Sequence, residues 1–291
     1  MHLFVQAVIV GILIGGVYAL LAGGQAMIFG VTRTVNFAQA IFAIMCSYLS
    51  YTLFQDFGLD PFLSVLVLVP AMFVFGGAIH IVLLRRLSRS GAELSLLVLF
   101  ALGIGIQGVL DFFYKTDTRV IATSYANDSW TVLGYQVPAV RFFAFLLAVA
   151  VLGALHLIRQ HTKFGRALRA TTQNPDAARL LGVDVERVSA IAMGLGVAAA
   201  GAAGAVFGMV IPFSGNSQLD LLNKLLAIGV LGGMASFPGT IVAAVILGVI
   251  ESVVAVNISP DWSSFSFLVV LFAVLTFRPQ GLFGQRLRGA A

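Results

Sequence analysis

The sequence predicts an all-α, polytopic integral membrane protein with about nine membrane-crossing helices, including short or re-entrant segments. Three observations carry this. Of 291 residues, 59% are hydrophobic and only 10% charged, and the mean hydropathy is +1.01. Apolar runs recur from one end of the chain to the other. Their length, roughly twenty residues, suits a helix crossing lipid and is about twice what a barrel strand needs. Lipid offers no partner to a backbone amide, so each run must satisfy its own hydrogen bonds, and a helix does so.

The runs lie near residues 5–28, 37–54, 61–84, 92–113, 141–158, 188–212, 221–236, 238–257 and 262–277. The first follows Met1-His2-Leu3, which lacks the positive start of a secretory signal, and no small-residue cleavage site follows it, so it reads as retained. The second holds the lone Cys46, a packed small side chain that excludes an intramolecular disulfide. The fourth and fifth are separated by the longest outer loop, about residues 114–140, in which Val132-Leu133-Gly134-Tyr135-Gln136-Val137 suits a small hairpin. Gly11 with Gly15, Gly204 with Gly208, and the series Gly194, Gly196, Gly201, Gly204 have the spacing of close helix contacts. Gly232-Gly233 and Pro238-Gly239 divide two short runs that suit a re-entrant pair or a hinge. The whole, 1–291, reads as one transmembrane domain with a cytoplasmic tail at about 278–291.

Charge orders the topology. With the N-terminus outside, 13 of the 17 Lys and Arg residues fall on the cytoplasmic side, and only Lys115, Arg119, Arg141 and Lys224 lie outside, as the positive-inside rule requires. The net charge of +5 therefore reports on lipid topology, and nucleic acid is not an expected partner. Six of the cytoplasmic cations belong to one polar island, about residues 159–187. Within it, Asn174 is an N-cap, Pro175 suits the first helical position, Asp176 the positive helix start, Arg179 the end, and Gly182 a left-handed stop. This spells a two-turn helix outside the membrane, either a docking element for a soluble partner or a solvated connection.

Candidate groups inside the spans are few. Glu251 is the clear ionisable residue at membrane depth, without a partner the sequence can name; Glu93, Asp111 and Lys224 sit near span ends, where snorkelling suffices. Gln25, Asn36, Gln39, Gln107 and Asn223 suit either a substrate pathway or interhelical hydrogen bonds. So sparse an inventory argues against coupling to a proton or ion. The four histidines show no metal-ligand spacing, no Gly-x-Ser-x-Gly elbow is present, and no phosphate-binding Gly-x-x-x-x-Gly-Lys-Ser/Thr loop occurs. The chain is not an enzyme on this reading, and energy for transport must come from a partner.

Three stretches together resemble the LivH-type permeases of ABC importers for branched-chain amino acids. Ile28-Phe29-Gly30-Val31 with Val35-Asn36-Phe37-Ala38 is similar to the segment after that family's first helix, although Gln39-Ala40 departs from the usual His-Gly or Gln-Gly. Arg169-Ala170 through Ala177, then Leu180-Leu181-Gly182-Val183 and Arg187-Val188, resembles its cytoplasmic coupling loop. Leu231-Gly232-Gly233-Met234-Ala235-Ser236-Phe237-Pro238-Gly239, with Gly248, Glu251 and Arg278-Pro279-Gln280-Gly281-Leu282-Phe283-Gly284, follows its C-terminal pattern, while Met234, Ala235 and Thr240 depart from it.

The resemblance implies a subunit in a bacterial cytoplasmic membrane, N-terminus outside and C-terminus inside. Its implied partners are a second homologous permease, two cytoplasmic ATP-binding subunits that hold the ATP and Mg, and an extracytoplasmic solute-binding protein; no cofactor is implied on this chain. Arg166, Arg169, Asn174, Asp176, Ala177, Arg179, Leu180, Leu181 and Gly182 then form the ATPase-coupling loop, with Leu180 and Leu181 as apolar knobs. Gln25, Asn36, Gln39 and Glu251 are pathway candidates. The implied cargo is a branched-chain amino acid, with urea, amides or aromatic acids open; an autonomous channel or secondary carrier is the competing class.

Overall fold

A computed structural model describes residues 2–87, 92–126, 128–132, 134–277 and 281. The first helix, α1 (His2–Thr32), leads into a short turn and α2 (Gln39–Phe57). Asn36 starts that turn by accepting from the Ala38 amide (3.1 Å), and Gly58 ends α2 in the left-handed conformation at φ 65°. Asp60 caps α3 (Pro61–Ile79) by accepting from the Phe62 amide (2.8 Å), with Pro61 at the first helical position. A π-helical turn, His80–Leu84, carries α3 into a last short turn, α4 (Arg85–Leu87).

The next helix, α5 (Ala92–Tyr114), is followed by an antiparallel hairpin, β1 (Ser129–Val132) and β2 (Tyr135–Pro138), at the position where the sequence suits one. The chain continues through α6 (Ala139–His161), α7 (Lys163–Gln173), α8 (Pro175–Leu180), α9 (Val185–Val210), α10 (Ser217–Gly232), α11 (Phe237–Asn257) and α12 (Pro260–Phe277).

Helices do fall at all nine expected positions, but nine is not the count of spans that length and composition support. Among the described residues six helical stretches are long and apolar enough to cross a membrane: His2–Thr32, Pro61–Leu87, Glu93–Tyr114, Ala139–His161, Val185–Val210 and Phe237–Asn257. The other three fall short for separate reasons. Gln39, Ser47, Ser50, Thr52 and Gln55-Asp56 dilute α2, and in α12 the apolar stretch among the described residues is Phe265–Phe277. At 16 residues α10 spans roughly 24 Å, less than the ~30 Å hydrocarbon core. Because α11 is itself full length, the Gly232–Gly239 region is a tight corner between a short helix and a spanning one, not a pair of half-helices.

Small residues set the architecture. At the centre lies α9, packed by α1, α2 and α3, and α1 also packs along α11. A Cβ on Gly11 would lie 2.5 Å from the Val249 Cα, and one on Gly248 2.6 Å from the Gly11 carbonyl, so these backbones touch without side chains between them. Gly204 lies against the Ala43 carbonyl and the Cys46 Cβ, which is the packed setting expected for that cysteine. At the corner, Gly232 packs on Gly239, and Gly281 packs against Val230 and Gly233. Two separated parts of the C-terminal sequence pattern therefore meet; the rest of the tail, residues 278–280 and 282–291, lies outside the described residues.

Candidate functional site

One end of the bundle is built by α7, α8 and the start of α9. Thr162 caps α7 by accepting from the Gly165 amide (3.0 Å), and Gly165 must lack a side chain because its backbone lies against the Arg159 carbonyl. The Arg169 guanidinium donates to that same carbonyl. Leu168 and Thr171 face inward, so α7 is fastened to the bundle along one side.

The chain then turns at Asn174, whose Oδ1 accepts from the amides of Asp176 (3.0 Å) and Ala177 (3.1 Å). Pro175 opens α8, and Gly182 at φ 83° closes it while the Val183 amide donates back to Ala178 (3.0 Å). Ala178 is buried, whereas Leu180 and Leu181 are 90% and 83% exposed. Arg166, Arg169, Arg179 and Asp176 are exposed as well. The Asp176–Arg179 pair (3.1 Å) is solvated and adds only a few tenths of a kcal/mol. What remains is an apolar knob of two exposed leucines beside Arg179, on a helix too short to hold itself without its caps.

Beyond α8, Asp184 caps α9 by accepting from the Arg187 amide (3.1 Å). Glu186 sits 3.7 Å from His80 Nε2 and 4.0 Å from Arg85 Nε, beyond hydrogen-bond distance, which brings the start of α9 beside the turns that follow α3. Gly165, Glu186 and His80 are thus parts of this site that the island's own sequence does not reveal, because their partners lie on other helices.

The four pathway candidates do not converge. Asn36 and Gln39 are fully buried and bond each other, Asn36 Nδ2 donating to Gln39 Oε1 (3.0 Å). Gln39 Nε2 also donates to the Gly196 carbonyl (2.9 Å), which spends this pair on joining α2 to α9. Gln25 lines a small cavity with Phe29, Val35, Leu225, Met234 and Thr240, and its Oε1 is buried without a partner. Of the softer candidates, Gln107 donates to Asn216 (3.4 Å) and Asn223 is exposed.

Glu251 does have a partner. Lys224 Nζ donates to its Oε1 (2.6 Å) and to the Tyr18 hydroxyl (3.0 Å), and lies over the rings of Tyr18 and Phe267 at 5.1 and 4.9 Å. Lys224 is therefore no snorkelling residue at a span end; it links α10 to α11, α1 and α12. No spacing rule could have found this pair, since its members sit 27 residues apart on different helices.

Comparison with known proteins agrees with this architecture. The family described as the branched-chain amino acid transport system / permease component matches residues 7–275. A probable branched-chain amino acid transport permease protein LivH of Methanocaldococcus jannaschii is 28% identical over 294 residues, covering 94% of this chain and 90% of its own length. The high-affinity branched-chain amino acid transport system permease protein LivH of Escherichia coli K12 is 25% identical over 299 residues, 97% of this chain and 96% of its own. Over 148 residues, 45% of this chain and 43% of its own, the autoinducer 2 import system permease protein LsrC of Escherichia coli is 35% identical. No solved structure matches.

Proposed function

Since the chain belongs to the branched-chain amino acid permease family of ABC-type transport, we propose that it is the membrane subunit of an importer for branched-chain or related amino acids, driven by ATP hydrolysis on partner subunits. The observation that carries the coupling is the exposed Leu180-Leu181 pair on a capped helix outside the apolar spans. Two adjacent leucines left this open on a polar element suit insertion into a partner's groove.

The partners in this reading are two ATP-binding subunits on the α8 side, a second permease subunit, and a solute-binding protein on the hairpin side. The α8 side is then cytoplasmic, with the N-terminus outside and the C-terminus inside, as the charge distribution favours. Arg166, Arg169 and Arg179 steer acidic groups on the ATPase toward the leucines. Closure of the ATPases displaces α8, and α7 passes that displacement to α6 through the Gly165–Arg159 contact. The Glu186 links to His80 and Arg85 pass it to α3. The ATPases shift the balance of inward and outward arrangements only as far as they bind one better than the other.

The pairing of Glu251 with Lys224 counts against an autonomous ion-coupled carrier, because that carboxylate already has its counter-charge. Urea, amides and aromatic acids stay within reach as cargo, and the autoinducer-related similarity supports some breadth across relatives. Uptake of labelled leucine into proteoliposomes tests the reading. Uptake should require the ATP-binding subunits and internal ATP; uptake by this chain alone would overturn it.

A further inference from the structure

We propose that the cavity between the hairpin-side ends of α2 and α5 binds a small α-amino acid, with Arg119 receiving the carboxylate and Asp56 the ammonium. The proposal rests on the amino-acid permease reading and adds a site to it. The cavity, about 580 Å³ and open to the surface, is lined among others by Tyr51, Thr52, Gln55, Asp56, Tyr114 and Arg119.

Arg119 is held in place from behind. Its backbone exchanges two hydrogen bonds with Phe213 just past α9, N–H to O at 2.8 Å and the return at 3.0 Å, and the Ile121 amide donates to Gly208 (2.9 Å). In front, its guanidinium lies 5.0 Å from the Tyr51 ring and 5.8 Å from the Tyr114 ring. Tyr114 is itself fixed, stacked on Tyr48 at 4.4 Å and bonded through its hydroxyl to Thr52 (2.7 Å). The cation is thus preorganised between two aromatic faces.

It is also uncompensated. Among the described residues its side chain makes one hydrogen bond, from Nη2 to the Tyr114 carbonyl (3.3 Å), and Nε is shielded from solvent without a partner. No carboxylate among the described residues lies within 4.0 Å of it. A half-buried guanidinium lacking an anion is costly, and its planar fork matches a carboxylate better than any other small group. Asp56 and Gln55, from the last turn of α2, line the same cavity, while Met45, Leu49 and Leu110 offer apolar wall for a hydrocarbon side chain. A cation, an anion and an apolar wall in one cavity complement a zwitterion with an aliphatic side chain. A lipid phosphate would use Arg119 but leave Asp56 facing a like charge.

The test is titration calorimetry on the full chain in phosphatidylcholine nanodiscs, with leucine, leucinamide and 4-methylpentanoate as probes. Leucine should bind at least tenfold more tightly than leucinamide, which lacks the carboxylate. Arg119→Gln should lose tenfold or more for leucine, and Asp56→Asn should weaken leucine while sparing 4-methylpentanoate, which has no ammonium. Equal binding of leucine and leucinamide by the unaltered chain would overturn the site without any variant having to fold. So would suppression of leucine binding by phosphatidylglycerol in place of phosphatidylcholine, which would make Arg119 a lipid-headgroup residue. Uptake with the complete set of subunits separates the two readings. An unchanged leucine KM in Arg119→Gln rejects the site and leaves the importer standing; binding as expected without any ATP-driven uptake rejects the importer and leaves the site.

Discussion

Only four residues of chain separate α8 from α9, yet the two helices use apolar residues in opposite ways. In α9, 83% of the most apolar stretch is buried and its glycines and alanines let α1, α2 and α3 approach to backbone contact. At the end of α8 two large apolar residues, Leu180 and the C-cap Leu181, are almost wholly exposed. A small residue that is buried fixes the distance between helices; a large one left open outside the apolar spans holds nothing inside the chain together. Stability and coupling should therefore respond to different substitutions, and each can be changed without the other.

The sharpest break is Gly204→Leu. Its side chain would enter the space of the Ala43 carbonyl and the Cys46 Cβ, where backbone rather than a movable side chain is the obstacle. We expect a loss of about 3 kcal/mol or more, seen as a collapse of the monodisperse peak on heating in detergent. If the variant melts like the unaltered chain, close backbone packing does not hold α9 to α2.

Next in size is the charged pair. Lys224→Met leaves the Glu251 carboxylate among apolar neighbours, and because the two side chains keep 14% and 16% exposure the cost falls below that of a fully buried pair; we expect on the order of 2 kcal/mol. Lys224→Met combined with Glu251→Gln should recover part of it. A double variant as unstable as the sum of the singles would mean that each residue acts through other contacts, and thermal unfolding in a double-mutant cycle distinguishes the two.

For the α8 leucines the expected pattern reverses. Leu180→Asp with Leu181→Asp should leave the unfolding midpoint unchanged and lower ATP-driven uptake at least tenfold, as loss of about 2 kcal/mol at an interface would. Uptake at the unaltered rate would remove the docking role, and a fall in the midpoint would mean that these leucines pack within the chain.

How far the sequence is legible follows the same division. The α8 helix could be read residue by residue, because Asn174, Pro175 and Gly182 act on their immediate neighbours and caps are local chemistry. The run lengths likewise located most helices, since lipid demands helix from any long apolar stretch. Tertiary partners could not be read. Asn36 and Gln39 look alike as pathway residues and as helix ties until Gly196, 157 residues from Gln39, supplies the acceptor. Glu251 and Lys224 read as separate candidates until two helices bring them to 2.6 Å. Length also misled at α10, where an apolar composition is spread over too few residues to cross.

The smallest effect tests the boundary between the two regimes. Asn174→Ala removes the acceptor for the Asp176 and Ala177 amides, a cap worth about 1 kcal/mol. A six-residue helix has little cooperative reserve, so that loss falls on α8 itself. The global midpoint, set by α9 and its glycines, should not move. Hydrogen exchange at Asp176 and Ala177 should accelerate about fivefold, the factor that 1 kcal/mol allows. Asn174→Asp should restore the slower exchange, because a carboxylate accepts from the same amides and favours the positive helix start. If α8 serves only as a connection, Asn174→Ala changes exchange and leaves uptake untouched. If it is the lever between the ATPases and α7, uptake falls in proportion to the fraction of chains in which α8 has frayed.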